Sequence, residues 1–426
     1  MNETSRARSG RKVFVLGAAA LCQGVPFAFM FLGVPAILRD LDESLSTITL
    51  YSLLFLPWAG RFLYAPFLDR IYSRRFGRRR TWLTASLLAT SAVLFLTAAF
   101  IPAGSNPAFM AALFLMNLML SVNDTVVGAY SSDILEYEEM SWSGIIRLSG
   151  NYLGMMLGGG LLLSSYASLG WEATFHLLGG TTLVLALPVA LHREIAPVHE
   201  TARETDGDKP SLVRFARSPG VGWFILAEVL VVTSLYTGSQ IYPPFLVDLG
   251  FSSDDIGGIL MFWGYPFGFL TALASGWIMR RMSPNKILPL SMAAVACVQF
   301  YAFHLAGTQA TLAQAVVLMC SEMVLDCLSG VAFYTVMAAF CVGPQAATNI
   351  GLLSSIANIT PLLIPPLLGR IGDAHGYRTL FAVLVCVSLI FFLAVAVIFR
   401  TRLSDSKALS SLNGRRCGPA AQRGAS

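Results

Sequence analysis

The chain has 426 residues, 55% of them hydrophobic and only 12% charged, with a mean hydropathy of +0.65 and a formal net charge of +5. That charged share is about half the usual globular value and is too small to cover a soluble protein of this length, which excludes a water-soluble fold. The positive balance then serves membrane topology and does not signal a nucleic-acid partner.

Twelve apolar runs follow one another, at roughly 13–38, 46–68, 81–102, 107–132, 144–166, 171–191, 221–247, 254–279, 286–306, 311–341, 346–368 and 378–399. A helix needs roughly 20 such residues to cross a bilayer. Each run is predicted to be a helix, because a lone strand cannot satisfy its backbone in lipid. Arg6, Arg8, Arg11 and Lys12 precede the first run, which has no small-residue cleavage site after it and reads as a span, not a signal peptide.

The second run contains Arg61, eight residues before Asp69 and so roughly 12 Å along a helix from the cytoplasmic end. An ionisable group at that depth is costly in lipid. Arg61 is therefore read as a cavity-facing cation that binds an anionic substrate group or pairs with an internal carboxylate. The loop from Asp69 to Arg80 holds six arginines and one aspartate.

In the fourth span, Asn117 and Asp124 are seven apart and share a helix face, with Asn123 beside them. Arg147 opens the fifth span near the acidic 133–143 loop and is expected in a salt bridge closing the cytoplasmic side. Asn151 and Tyr152 lie one turn further in and are expected to line the cavity, while Gly158–Gly160 read as close helix packing.

The segment 192–220 is the one long polar linker, and it divides the chain into an N-terminal bundle (1–191) and a C-terminal bundle (221–400), followed by a tail (401–426) expected to be disordered. The seventh span carries Glu228 and the stretch with Tyr236, Gln240 and Tyr242, read as cavity walls before two prolines. In the tenth span Glu322 and Asp326 are four apart on one face, and Asn349 and Asn358 follow in the eleventh. Asp124, Glu228, Glu322 and Asp326 form the proton-coupling candidates, since buried carboxylates of this kind can carry a proton. The competing reading is fixed ion pairs and helix-to-helix hydrogen bonds. His304, alone near the outer interface, is read as structural. Six of the seven cysteines fall in apolar runs without ligand-type spacing, so neither a disulfide framework nor a metal site is expected.

The N-terminal tail, the 69–80 loop, the 192–220 segment, the loop with Arg280, Arg281 and Lys286, and the tail after Arg400 are basic and all lie on one side. The intervening loops hold few Lys or Arg. The positive-inside rule places both termini in the cytoplasm. Two loops deviate: 133–143 is cytoplasmic but acidic, and 369–377 is external but carries Arg370.

The halves also repeat each other. Asp124 stands four before Gly128, as Asp326 does before Gly330. Gly170, Trp171 and Phe175 line up with Gly376, Tyr377 and Phe381. A duplicated six-span bundle around a polar linker is the usual plan of a secondary transporter. No phosphate-cradling loop is present, so direct ATP drive is not expected.

Asp69-Arg70 followed by Gly77-Arg78-Arg79-Arg80, between the second and third spans, resembles the signature loop of the major facilitator superfamily. It departs in having Ala65 where a glycine is usual and a longer Asp-to-Gly spacing. Upstream, Arg61 to Pro66 (RFLYAP), together with LGWEATF at 169–175 and the ND pair of span four, resembles the muropeptide-permease branch. That branch includes shorter twelve-span siderophore permeases, such as those for rhizobactin and pyochelin, and chain length points to these. The resemblance implies an all-α fold of two pseudo-symmetric six-helix bundles and alternating access driven by protons without an ATP-binding partner. It implies a cytoplasmic gate at Asp69, Arg70 and Arg78, joined by Arg147. The expectation is thus a monomeric importer of a ferric siderophore in the bacterial inner membrane, with no cofactor. The alternatives are an anhydro-muropeptide permease and, less favoured, a membrane-embedded enzyme or sensor. Arg61, Asn117, Asn151, Tyr152, Tyr236, Gln240 and Asn358 are the expected substrate contacts.

Overall fold

The computed structural model describes residues 3–34, 37–38, 51–100, 106–198, 211–363 and 365–403, with 406, 409, 410 and 412. Among them the chain is helical throughout and has no strand. Every expected span holds a helix. Eight helices are long and apolar enough to cross a membrane, and Val221–Leu235 and Ala346–Ile359 are shorter apolar stretches.

The helices are α1 (Glu3–Ala28), α2 (Leu56–Ala59), α3 (Arg61–Arg70), α4 (Arg78–Ala98), α5 (Pro107–Ile134), α6 (Ser141–Gly154), α7 (Leu163–Leu191), α8 (Leu212–Ala216), α9 (Val221–Asp248), α10 (Ser253–Ile259), α11 (Tyr265–Arg281), α12 (Pro284–Leu305), α13 (Leu312–Phe340), α14 (Ala346–Leu363) and α15 (Pro365–Val397). Wide π-helical turns extend α1 (Phe29–Gly33) and α6 (Met155–Leu162) and precede α11 (Leu260–Gly264). The second span is broken at Gly60, between α2 and α3.

Two compact units emerge. Unit 1 comprises Met1–Leu135, Ile146–Leu212 and Cys341–Ser355; unit 2 comprises Glu136–Ile145, Val213–Phe340 and Ile356–Ser426. These units follow the expected bundles except that Cys341–Ser355 and Glu136–Ile145 each sit with the other half of the sequence.

In unit 1, α1 meets α6 at backbone level. A side chain at Gly24 or Gly154 would overlap the facing glycine's backbone, and one at Gly158 would overlap the Val25 carbonyl. Lipid tails are as apolar as leucine, so helices in a bilayer associate by such close approach, not by hydrophobic burial. The packing expected of Gly158–Gly160 is therefore found at Gly158 and, against Leu32, at Gly159.

The internal repeat is visible in each unit's core. Gly170 (φ 74°) and Gly376 (φ 79°) interrupt α7 and α15 in the same left-handed conformation, which glycine adopts without a Cβ penalty. Directly after them, Trp171 and Phe175 pack with Phe29 and Phe109 in unit 1. Tyr377 and Phe381 pack with Phe245 and Tyr242 in unit 2. Each bend is thus locked by an aromatic knot in its own unit.

Candidate functional site

Unit 1 gathers three ionisable side chains at membrane depth. Arg61 Nη1 lies 2.5 Å and Arg147 Nη2 2.6 Å from the same oxygen, Oδ2 of Asp124. The break at Gly60 starts α3 at Arg61, and the seven-residue face of α5 turns Asp124 towards it. All three residues are buried. Gly128, one turn past Asp124, leaves room for Arg147: a Cβ there would stand 2.8 Å from its Nη1.

Around this cluster the walls are polar and aromatic. The Arg61 guanidinium lies over the Trp58 ring at 4.6 Å. Trp58 donates its indole N–H to Asn117 Oδ1 at 3.2 Å, and Asn117 donates in turn to the Leu113 carbonyl. Tyr64 and Ser121 are hydrogen-bonded at 2.5 Å. Asn123 donates to Ala19 O and to Gln23 Oε1, both at 3.2 Å. Asn151 is half-buried and Tyr152 buried on α6, one turn beyond Arg147. Trp58, Gln23, Tyr64 and Ser121 were not legible in sequence, since nothing marks one aromatic or hydroxyl in an apolar run as inward-facing.

A second cluster gathers around the Asp69–Arg80 loop of unit 1. Buried Arg79 donates from Nη1 to Asp69 Oδ1 and from Nε to Asp133 Oδ2, each at 2.7 Å. Asp69 Oδ2 accepts from Thr348 N and Thr348 Oγ1, each at 2.7 Å, at the start of α14. A carboxylate is favoured there because a helix N-terminus carries unsatisfied N–H groups and the positive end of the dipole. Ser355 Oγ accepts from Phe62 N, and a side chain at Gly351 would overlap the Ala65 methyl. The small residue needed at position 65 is therefore alanine, with the partner helix supplying the glycine. Arg78 is half-buried, donating to Pro344 O at 2.8 Å and reaching Asp133 at 3.4 Å.

Arg70 is exposed, and the guanidinium that meets Asp69 is that of Arg79. The choice among the loop's arginines follows from where α4 begins. Gly77, at φ 100°, starts the helix, and a side chain there would overlap the Glu194 carboxylate. Glu194 accepts from the amides of Arg79 and Arg80, at 3.2 and 3.0 Å, capping α4 from the linker. The linker's first residues form a strap. Ile195 N donates to Tyr130 Oη and Val198 N to Asp133 O, each at 2.9 Å, while Arg11 donates to Arg193 O at 3.0 Å. A cavity of about 300 Å³ lies under this strap, lined by Tyr72, Arg78, Tyr130, Asp133, Glu194 and Ile195 among others. Arg147, expected at this gate, forms its ion pair with Asp124 in the deeper cluster instead.

In unit 2, Glu228 is buried on α9, with neither carboxylate oxygen hydrogen-bonded to a described residue. Glu322 is buried on α13 with its carboxylate pressed on Gly238 of α9, where a Cβ would overlap it. Asp326, one turn on, is half-buried, as is Asn358 on α14. Ser234, Ser388 and Gln299 form a buried hydrogen-bonded chain linking α9, α15 and α12. The side chains of Tyr236 and Gln240 lie outside the described residues.

Helices in two repeated units, with paired charges buried at membrane depth, define a polytopic membrane transporter. Residues 15–341 match the family profile of the Major Facilitator Superfamily, and the chain belongs to that family. It is 25% identical to the anhydromuropeptide permease of Escherichia coli K12 over 405 residues, 92% of this chain and 81% of that one. Among solved structures it resembles the E. coli fucose:proton symporter FucP, with a TM-score of 0.68, 14% identity and 92% and 98% of the two chains covered. It also resembles the human organic anion transporter MFSD10, with a TM-score of 0.65, 15% identity and 91% and 99% covered. At these identities the two structures establish the fold alone. The chain is a multi-pass secondary transporter of this superfamily.

Proposed function

We propose that this transporter imports anhydromuropeptides, the sugar–peptide fragments of cell-wall turnover, across the bacterial cytoplasmic membrane by proton-coupled alternating access. The carrying observation is the similarity to the E. coli anhydromuropeptide permease over 92% of this chain. The expected siderophore substrate finds no support among the relatives, and the reading moves to what was the alternative. The buried cluster suits the anionic group such a substrate carries. Arg61 and Arg147 both converge on Asp124, so an entering peptide carboxylate can take over a guanidinium contact from Asp124 without stranding a charge.

In this reading Arg61, Asn117, Asn151 and Tyr152 contact substrate. Glu228 and Glu322 are the proton-carrying candidates of unit 2, and Asp69, Arg79 and Arg78 hold the cytoplasmic end. The test is uptake of labelled anhydromuropeptide in a bacterial strain lacking its own permease, with labelled ferric siderophore in parallel. Accumulation of the muropeptide that collapses with a protonophore is expected. Siderophore accumulation without muropeptide uptake reverses the assignment.

A further inference from the structure

Beside the buried charges stands a group of rings that the ion cluster does not use. Phe27 and Phe31 stack with centroids 5.8 Å apart and planes 9° from parallel. Phe55 stands edge-on to both, at 6.0 and 5.6 Å. Trp58 packs on Phe27 at 4.9 Å and on the Arg61 guanidinium at 4.6 Å. The chain of contacts thus runs without a gap from the charged cluster, through the indole, to three phenylalanines.

Phe27 and Trp58 pack against the edge of the unit 1 core, and Phe31 reaches outward from it. Phe29, in the same π-helical turn as Phe31, is 0% exposed and packs on Phe175 in the core. Phe31 is 47% exposed, and Phe27, Phe55 and Trp58 are half-buried. The wide turn Phe29–Gly33 thus holds one ring in the core and leaves Phe31 partly exposed, and such π-bulges recur at functional sites. Trp58 cannot swing away, since its N–H is held by Asn117. Phe55 closes a 3-10 turn (Tyr51–Phe55) ahead of α2, and Arg61 opens α3 beyond the break at Gly60, so the rings and the charged group come from the two sides of that break. Small-molecule sites are built in this way, mostly of apolar and aromatic wall with a few placed polar groups.

We propose that Phe27, Phe31 and Phe55 form the wall on which the sugar ring of the substrate lies while its peptide carboxylate engages Arg61 and Arg147. These rings then set the preference for a glycosylated over a sugar-free peptide. The inference rests on the function proposed above and names the subsite that reads the sugar. The ring's axial C–H groups meet the electron-rich aromatic faces, and leucine, though equally apolar, offers no such face.

The test uses Phe31→Leu and Phe27→Leu, neither of which touches the charged cluster. Uptake of labelled anhydro-muramyl tripeptide is measured, together with its inhibition by the same tripeptide without sugar. KM for the glycosylated substrate is expected to rise about two- to tenfold, with the inhibition constant of the sugar-free peptide and the amount of protein in the membrane unchanged. Phe31→Tyr keeps the ring and is expected to behave as the wild type. Equal weakening of both ligands, or of neither, overturns the wall. If the leucine variants do not reach the membrane, loss of sugar preference is read from Phe31→Val and Phe55→Leu, and unchanged preference in these overturns it equally. Wild-type protein that accumulates no muropeptide overturns the proposed function itself, and the wall with it.

Discussion

The two ion clusters of unit 1 are built from the same residue types around opposite centres. At membrane depth one aspartate, Asp124, serves two arginines; in the other cluster one arginine, Arg79, bridges two aspartates, with Arg78 reaching Asp133 from 3.4 Å. Under the function proposed above, the difference separates a binding arrangement from a structural one. In the deep cluster a visiting anion can substitute for Asp124 at either guanidinium. In the second cluster the carboxylates are already committed: Asp69 to Thr348 at the head of α14, and Asp133 to Arg78 and Arg79. An anion has no vacancy there, and the contacts bind 61–80 to 341–355 within the unit.

This inversion makes the central residue of each cluster its keystone. Asp124→Ala leaves two buried guanidiniums facing each other, and Arg79→Ala leaves Asp69 without its arginine and Asp133 with Arg78 at 3.4 Å. Removing one partner of a buried pair costs about 3–5 kcal/mol. Both variants are expected to lower the thermal midpoint of purified protein strongly and to abolish uptake. A midpoint within about 1 °C of wild type for either would break the keystone picture.

The outer residues are expected to part company. Arg61→Ala leaves Asp124 still paired with Arg147, so the protein should reach the membrane in normal amount while uptake is lost. Normal uptake by this variant removes Arg61 from the site. Asp69→Ala leaves Arg79 paired with Asp133 but uncaps α14, and loss of such a cap costs about 1 kcal/mol. Its expected phenotype is a modestly lower midpoint with measurable uptake. If Asp69→Ala abolished uptake and Arg61→Ala did not, the assignment of the two clusters would have to be exchanged.

How far these clusters were legible in sequence depends on what set them. The spans were legible because apolar runs of membrane length leave little choice, and the repeat was legible at Gly170 and Gly376 because a left-handed residue calls for glycine. Arg61 stood out through its isolation, and an internal carboxylate was among its expected partners. The identity of that carboxylate, and the fact that Arg147 reaches it as well, depend on the break at Gly60 and the gap above Gly128, which no motif announces. At the other end three consecutive arginines looked alike. Only the phase of α4, fixed by Gly77 and the Glu194 cap, turns Arg79 inward and leaves Arg78 and Arg80 half-buried. Thr348 lies 279 positions from Asp69, a pairing that local patterns cannot carry. The substrate was less legible for a related reason: chain length distinguishes relatives only indirectly, whereas the residues that face a substrate are scattered over several spans.

The smallest expected effect concerns the strap and separates the two clusters by pH. His192 is buried at the end of α7. Its Nδ1 faces the Val189 carbonyl, which only accepts, so Nδ1 carries the proton. Its Nε2, 3.1 Å from Tyr130 Oη, then accepts from the tyrosine hydroxyl, whose oxygen in turn accepts from Ile195 N. The neutral ring satisfies every group in this relay, whereas a proton on Nε2 would reverse one of its bonds. Burial holds the His192 pKa below its ordinary value of 6.5, and Arg80 and Arg11 act in the same direction, against the Val189 carbonyl and Glu194. Because the folded pKa is the lower one, the unfolded strap binds more protons between that pKa and 6.5. Docking is therefore complete above this window and weakens as pH falls through it. Hydrogen exchange at the amides of Ile195 and Val198 is expected to speed up on acidification, relative to a His192→Gln variant measured at the same pH. The deep cluster, which has no histidine among its described partners, should show no such difference. Equal pH dependence in the variant and the wild type would place the acid response of this end elsewhere than in His192.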